Sequence, residues 1–199
     1  MMMAMRPLPI ALLALTALIA TPAVAGPKPK YHFLLSEITA TKDVTGDVVT
    51  AAQPRIKAVV EKAFANHPQL IAVLEGAPDA KTDGKAYTKY LKKKKIKGAF
   101  RVNVEITAAA EETEEMETKP GSLRLVVRLS LRMFGETIPE RVMGFTGEGS
   151  ATIKQEVGKK VRPRDREYAW DQAAELAIND AIATSLAKLA LPPAKPSKK

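Results

Sequence analysis

Leu123-Arg124-Leu125-Val126-Val127-Arg128-Leu129-Ser130-Leu131-Arg132-Met133 alternates with a period of two: every odd position is apolar, while Arg124, Arg128 and Arg132 fall on even ones. Successive side chains of a strand point to opposite faces, so this segment reads as a half-buried strand with one apolar and one wet face. Neighbouring arginines stand about 13 Å apart along that wet face at strand rise. Such alternation belongs to an antiparallel sheet with one covered face, because parallel strands buried on both faces are near-continuously apolar.

Two further segments share the period. Phe100-Arg101-Val102-Asn103-Val104-Glu105-Ile106-Thr107 alternates strictly, and Met143, Phe145, Ala151 and Ile153 share a parity opposed to Thr146, Glu148, Ser150 and Thr152. Gly147 and Gly149 fall on the covered parity, where a missing side chain lets a helix approach closely.

The covering helix is the last element. From Asp165, read as its cap, Trp170, Ala173, Ala174, Ala177, Ile178, Ala181, Ile182, Leu186 and Leu189 recur at i+3 and i+4. Toward the amino terminus, Tyr31–Thr39 is rich in β-formers on both parities and reads as a buried strand. Ile56, Val59, Val60, Ala63 and Phe64 form a helical stripe, with Pro54 expected in the first turn and Asn66-His67-Pro68 as the stop. Leu70–Leu74 reads as a second strand, and Asp83-Gly84 leads into a short helix with Tyr87, Tyr90 and Leu91 on one side. The expected fold is α+β: a mixed sheet of about five strands in the order β-α-β-α-β-β-β-α, with helices packed on one face. The acidic run Glu111, Glu112, Glu114, Glu115 and Glu117 is expected in the loop between the third and fourth strands.

The first 25 residues carry a secretory signal pattern: Arg6, an apolar stretch from Leu8 to Ala20, Pro22, and Ala23-Val24-Ala25 as an A-x-A cleavage site. The apolar run is short for a membrane span. The expected organisation is a signal peptide at 1–25, a Pro-punctuated linker at 26–30, one α+β domain at 31–190 and a disordered basic tail at 191–199, with no transmembrane span after cleavage. No cysteine occurs, which excludes disulfides, thiolate catalysis, thiolate metal sites and an acylated lipoprotein Cys. The net charge of +9 favours anionic partners. Outside the cytoplasm these are envelope proteins, anionic cell-wall polymers or lipid headgroups, and nucleic acid is not expected.

No motif for turnover emerges. His32 and His67 have no spaced partner for a metal site. Ser150 does not sit in a G-x-S-x-G elbow, and Gly144-Phe145-Thr146-Gly147-Glu148-Gly149 reverses the dinucleotide fingerprint. The acidic run lacks the Asp/Asn/Gly alternation of a calcium loop. No cofactor, metal or catalytic residue is therefore assigned. The candidate partner-binding residues are Arg101, Arg124, Arg128 and Arg132 on the wet face, because guanidinium groups bind carboxylate, sulfate or phosphate through paired donors. Lys92, Lys93 and Lys94 at the end of the short helix are expected to assist. The competing reading of the arginine row is cross-strand ion pairing with Glu105 or Glu148.

The element order, Tyr87-Thr88-Lys89-Tyr90-Leu91-Lys92-Lys93-Lys94-Lys95-Ile96-Lys97-Gly98-Ala99 running into a long strand, Gly147-Glu148-Gly149, and the closing helix with Asn179-Asp180-Ala181-Ile182 together resemble the periplasmic α+β modules of CsgG, LpoB and the TolB amino-terminal domain. The resemblance implies a non-enzymatic accessory protein of the envelope that binds other proteins. A secreted hydrolase with a site not visible in sequence and a structural oligomer subunit are the alternatives. If the signal reading holds, mass spectrometry of the exported protein will find Gly26 as its first residue, and an intact amino terminus would refute it.

Overall fold

The computed structural model describes residues 28–44 and 46–191; the expected signal segment and nearly all of the basic tail lie outside the described residues. The elements follow the expected order: β1 (Lys30–Ala40), α1 (Asp47–Asn66), β2 (Leu70–Ile71), α2 (Gly84–Lys93), β3 (Ile96–Glu115), β4 (Leu123–Thr137), β5 (Met143–Val157) and α3 (Pro163–Ala190). They form an α+β fold around one five-stranded mixed sheet, ordered β2-β1-β3-β4-β5. β1 runs parallel to β2 and β3, while β4 is antiparallel to both of its neighbours, β3 and β5.

Alternation places the core. The odd side of β4, Leu125, Val127, Leu129, Leu131 and Met133, is fully covered together with Val102, Val104 and Ile106 of β3, and α1 and α3 lie over this face. Four phenylalanines interlock at one end: Phe33 stacks on Phe145 at 5.0 Å, and Phe64 and Phe100 meet Phe33 edge-on at 5.6 and 5.9 Å. Edge-to-face and offset pairs suit the ring quadrupole and fix this end of the sheet.

The short helix α2 does not join that layer. Consecutive residues Ala99 and Phe100 of β3 are both buried, so they face opposite sides of the sheet. Phe100 belongs to the main core; Ala99 packs with Ile96, Tyr87 and Leu91 in a second, smaller cluster under α2. One corner of the otherwise open face is thereby roofed.

Four local boundaries differ from the sequence reading. α1 begins at Asp47, so Pro54 lies inside the helix and not in its first turn. The missing Pro54 N–H is tolerated because Val49, Ala52, Ile56 and Val60 still bury one continuous stripe, and tertiary packing outweighs one backbone bond. β2 is only Leu70–Ile71, since Ala72–Leu74 turn away to line the α2 corner. Most of the acidic run is not loop: β3 continues through Glu115, and Glu117 falls in the turn that follows. α3 starts at Pro163, with Asp165 inside the first turn, where its carboxylate accepts from the Arg162 backbone N–H at 3.2 Å and from its guanidinium at 2.9 Å. That pairing holds Asp165 below the usual carboxylate range.

α3 rests on β5 almost backbone to backbone. A side chain at Gly149 would collide with the Ala177 carbonyl and stand 2.5 Å from the Ala181 nitrogen; one at Gly147 would meet Ser185 and, at 2.5 Å, the Ala181 carbonyl. At Gly149 every one of these obstacles is helix main chain, which cannot swing aside. Gly149→Ala is therefore expected to cost about 2–4 kcal/mol in denaturant unfolding. Gly158→Ala, with nothing within 4 Å, is expected to stay within about 0.5 kcal/mol. Equal effects from the two substitutions would contradict this packing.

Candidate functional site

On the even side of β4 Val126 is buried, while Arg128 and Arg132 are exposed and Arg124 half-exposed. Each arginine has a glutamate. Arg124 pairs with Glu114 at 3.9 Å, Arg128 with Glu112 at 2.7 Å, and the Arg132 guanidinium with Glu105, the Nε bond measuring 3.0 Å. Glu114 and Glu105 stand directly opposite their arginines in the β3–β4 register, and Glu112 sits one step along the diagonal. The Glu112 hydrogen bond and charge push the Arg128 guanidinium above its ordinary value. This row is a neutralised ladder on a solvated sheet, so cross-strand pairing describes Arg124, Arg128 and Arg132 better than an open anion row. Pairs this exposed contribute little stability. They do account for the acidic run as strand.

Glu111 has the opposite parity. It lies under α3, where its carboxylate accepts from Trp170 Nε1 at 2.9 Å and Arg166 Nε at 2.6 Å. Trp and Arg supply the donors that a nearly buried carboxylate needs. Among the described residues, no group of three His, Asp or Glu could hold a metal ion.

Arg101 differs from the other three. In register it faces Glu136 on β4 and Leu34 on β1, yet it forms no ion pair with any described acid. It lines a cleft of about 440 Å3 at the roofed corner, together with His32, Leu34, Tyr87, the 72–81 segment and Arg141. Arg141 is likewise free of ion pairs with described residues, and it holds a left-handed backbone conformation at φ 58° in the β4–β5 turn. A non-glycine residue in this region carries strain that the surrounding turn must hold. Leu34 and Val73 leave their apolar side chains exposed at the rim.

The floor of the cleft is polar and has bonding capacity to spare. His32 is 6% exposed, and its Nδ1 lies 2.7 Å from the Ile71 carbonyl, an acceptor only, so Nδ1 carries the proton and donates. In neutral imidazole Nε2 is then an acceptor, and no described residue bonds it. Desolvation lowers the His32 pKa, with the Ile71 bond acting against that, and keeps the ring neutral. Tyr87 stays protonated because burial, and secondarily Tyr90, raise its pKa; its hydroxyl also bonds no described residue. Asp79, the acid lining the cleft, is turned to the Lys81 backbone N–H at 2.9 Å. A mostly apolar cleft with a few convergent polar groups is the usual form of a binding site.

Lys92, Lys93 and Lys94 lie at the exposed end of α2, where Lys94 Nζ stands 5.8 Å from the Tyr90 ring centre. Lys92 borders a shallow hollow with Lys85, Lys89 and Glu140. A larger groove of about 530 Å3 lies between α1 and α3, where Arg55 is matched to Asp171 at 3.1 Å. The structure thus keeps Arg101 as a free cation, pairs off the other three arginines, and adds His32, Tyr87 and Arg141, which no sequence motif had marked.

No protein-family profile and no curated protein matches the chain. Several solved structures overlap it. A Xanthomonas campestris protein of the DUF330 family matches at 9% identity over 84% of this chain and 90% of its own, TM-score 0.46. A Chlamydia trachomatis protein matches at 8% identity over 81% and 98%, TM-score 0.45, and rare lipoprotein B of Shewanella oneidensis at 10% over 78% and 98%, TM-score 0.37. The chain is similar to these bacterial proteins in shape alone. Overlaps this loose carry no inference about activity or partners. Among the described residues no helix is long and apolar enough to cross a membrane.

The histidine yields a pH test. Its pKa is lower folded than unfolded, so the unfolded chain takes up the proton first as pH falls; the His32 contribution is whole above about 6.5 and is lost as pH drops through its folded value. His67, also lowered by burial and by Lys28, acts in the same sense. His32→Asn keeps a donor for Ile71 without a titrating ring. Thermal unfolding between pH 7 and pH 5 should show a smaller fall in Tm for this variant than for the parent, and equal slopes would refute the assignment.

Proposed function

We propose that this chain is an exported, non-enzymatic accessory protein of the cell envelope, which holds an acidic, partly apolar segment of a partner protein in the cleft beneath α2. Export rests on the signal pattern in residues 1–25. Binding rests on one observation: Arg101 and Arg141 line a single cleft without an acidic partner among the described residues, whereas Arg124, Arg128 and Arg132 are each matched to a glutamate. An unpaired guanidinium beside apolar walls favours a carboxylate that arrives with an apolar neighbour, because the flanking side chain covers Leu34 and Val73 while the fork of donors engages the anion. Tyr87 adds a neutral donor and His32 Nε2 an acceptor, which suits a peptide carrying both N–H and C=O groups. Lys92, Lys93 and Lys94 sit outside the cleft and contribute attraction at a distance, together with the net charge of +9.

A labelled pentapeptide alternating leucine and glutamate tests the reading. Arg101→Gln and Arg128→Gln each remove one positive charge, so a general electrostatic effect weakens both equally. The cleft predicts about a tenfold loss of peptide affinity for Arg101→Gln and little change for Arg128→Gln. The same peptide with glutamine in place of glutamate should not bind. Equal losses in the two variants, or equal binding of the uncharged peptide, would remove the proposal.

A further inference from the structure

β5 forms one border of the sheet. Thr184 of α3 shows which of its main-chain groups face outward: Thr184 Oγ1 accepts from the Glu148 N–H at 3.1 Å and donates to the Glu148 carbonyl at 2.9 Å. In an antiparallel strand the N–H and C=O of one residue point the same way, and the β4–β5 register is regular from Thr146 to Val157. The even-numbered residues of β5 therefore turn their main chain to the outside. α3 seals the border at Glu148. Beyond it, Ser150, Thr152, Lys154 and Glu156 offer main-chain groups that no described residue bonds. A border of this length invites another strand unless it is blunted.

A second observation lies on the same segment. Residues 154–156 are charged in a self-complementary order, Lys154-Gln155-Glu156, with Lys154 and Glu156 exposed.

A two-fold antiparallel pairing of β5 with a second β5 makes ladder bonds only where even residues face even residues. Centred on 154, Lys154 faces itself. Centred on 152, Glu148 faces Glu156 and meets Thr184. Centred on 153, Thr152 faces Lys154 and Ser150 faces Glu156, with no charge matched. Centred on 155, Lys154 of each copy faces Glu156 of the other, Ile153 faces Val157, and Gln155 faces Gln155. Opposite charges and apolar pairs directly across a ladder stabilise it, and like charges oppose it.

We propose that two copies of this chain join along β5 in this register, with residue 155 on the two-fold axis. The seam lies at the other end of the strand order from the cleft and is independent of what the cleft binds. It makes one ten-stranded sheet of the two copies. The Lys119–Glu156 contact at 2.7 Å is exposed on both sides and leaves Glu156 accessible.

Sedimentation across a concentration series should show a monomer–dimer equilibrium for the purified protein. Lys154→Glu is expected to raise the dimer dissociation constant about tenfold or more, and Lys154→Glu combined with Glu156→Lys to restore it. The chain has no cysteine, so one introduced thiol reports on the seam. Residues facing each other outside the ladder bonds approach to about 4.5 Å between Cα atoms, within reach of a disulfide. Gln155→Cys should oxidise to a covalent dimer, while Ile153→Cys, displaced from its own copy by about 13 Å, should not. A monomer at every concentration, a dimer indifferent to Lys154→Glu, or cross-linking at 153 as fast as at 155 would overturn the proposal.

Discussion

Close contact between α3 and β5 sets the rest of the architecture. Helix main chain can lie this near a sheet only where the strand has no side chains on the covered side, and Gly147 and Gly149 supply that gap beneath Ala177 and Ala181. The alanines of α3 complete the fit: Ala169, Ala173, Ala174, Ala177 and Ala181 are buried to within 1%. Close packing of this kind transmits any added volume to both elements. Because α3 crosses the sheet here, Trp170 reaches Glu111 of β3, Thr184 reaches the border at Glu148, and the covered faces of β3 and β4 are sealed.

With one face committed to α1 and α3, the opposite face must satisfy its charges locally. Arginine on β4 meets glutamate on β3 along most of the ladder, which extends β3 through what looks in sequence like an acidic loop. The exposed pairs do little for stability, but they discourage any shift in register, since a one-residue slip would carry Arg128 and Glu112 to the core side. Charge pairing here acts on specificity of fold more than on its depth.

Where the ladder ends, the open face changes character. α2 crosses to this side, buries Ala99 and Ile96, and leaves between itself and the sheet a cleft whose cations have no described counterion. The difference between Arg101 and Arg132 is one of neighbourhood. Both occupy the wet parity, but Glu105 lies against Arg132, whereas Arg101 looks out under the 72–81 segment beside a neutral histidine. Protein surfaces that bind are commonly made this way, by leaving a few groups unmatched within a scaffold that matches the others.

Periodicity alone determined the class and order of the elements. The period of two in Leu123–Met133 and the i+3, i+4 stripe from Trp170 to Leu189 follow from which face each residue must bury, and that information is local. The two glycines on the covered parity of β5 likewise marked where α3 would settle. Pairing is different, because a partner in space need not be near in sequence. Whether Glu112 met Arg128 or sat in a mobile turn depended on the register of a hairpin, and whether Arg101 was free depended on the same register together with the turn that carries Arg141. The side taken by α2 was also hidden, since Tyr87 and Leu91 mark an apolar stripe without saying which sheet face receives it. Only the tertiary structure decided these, because charge neutralisation and the shape of a cleft are properties of long-range contacts.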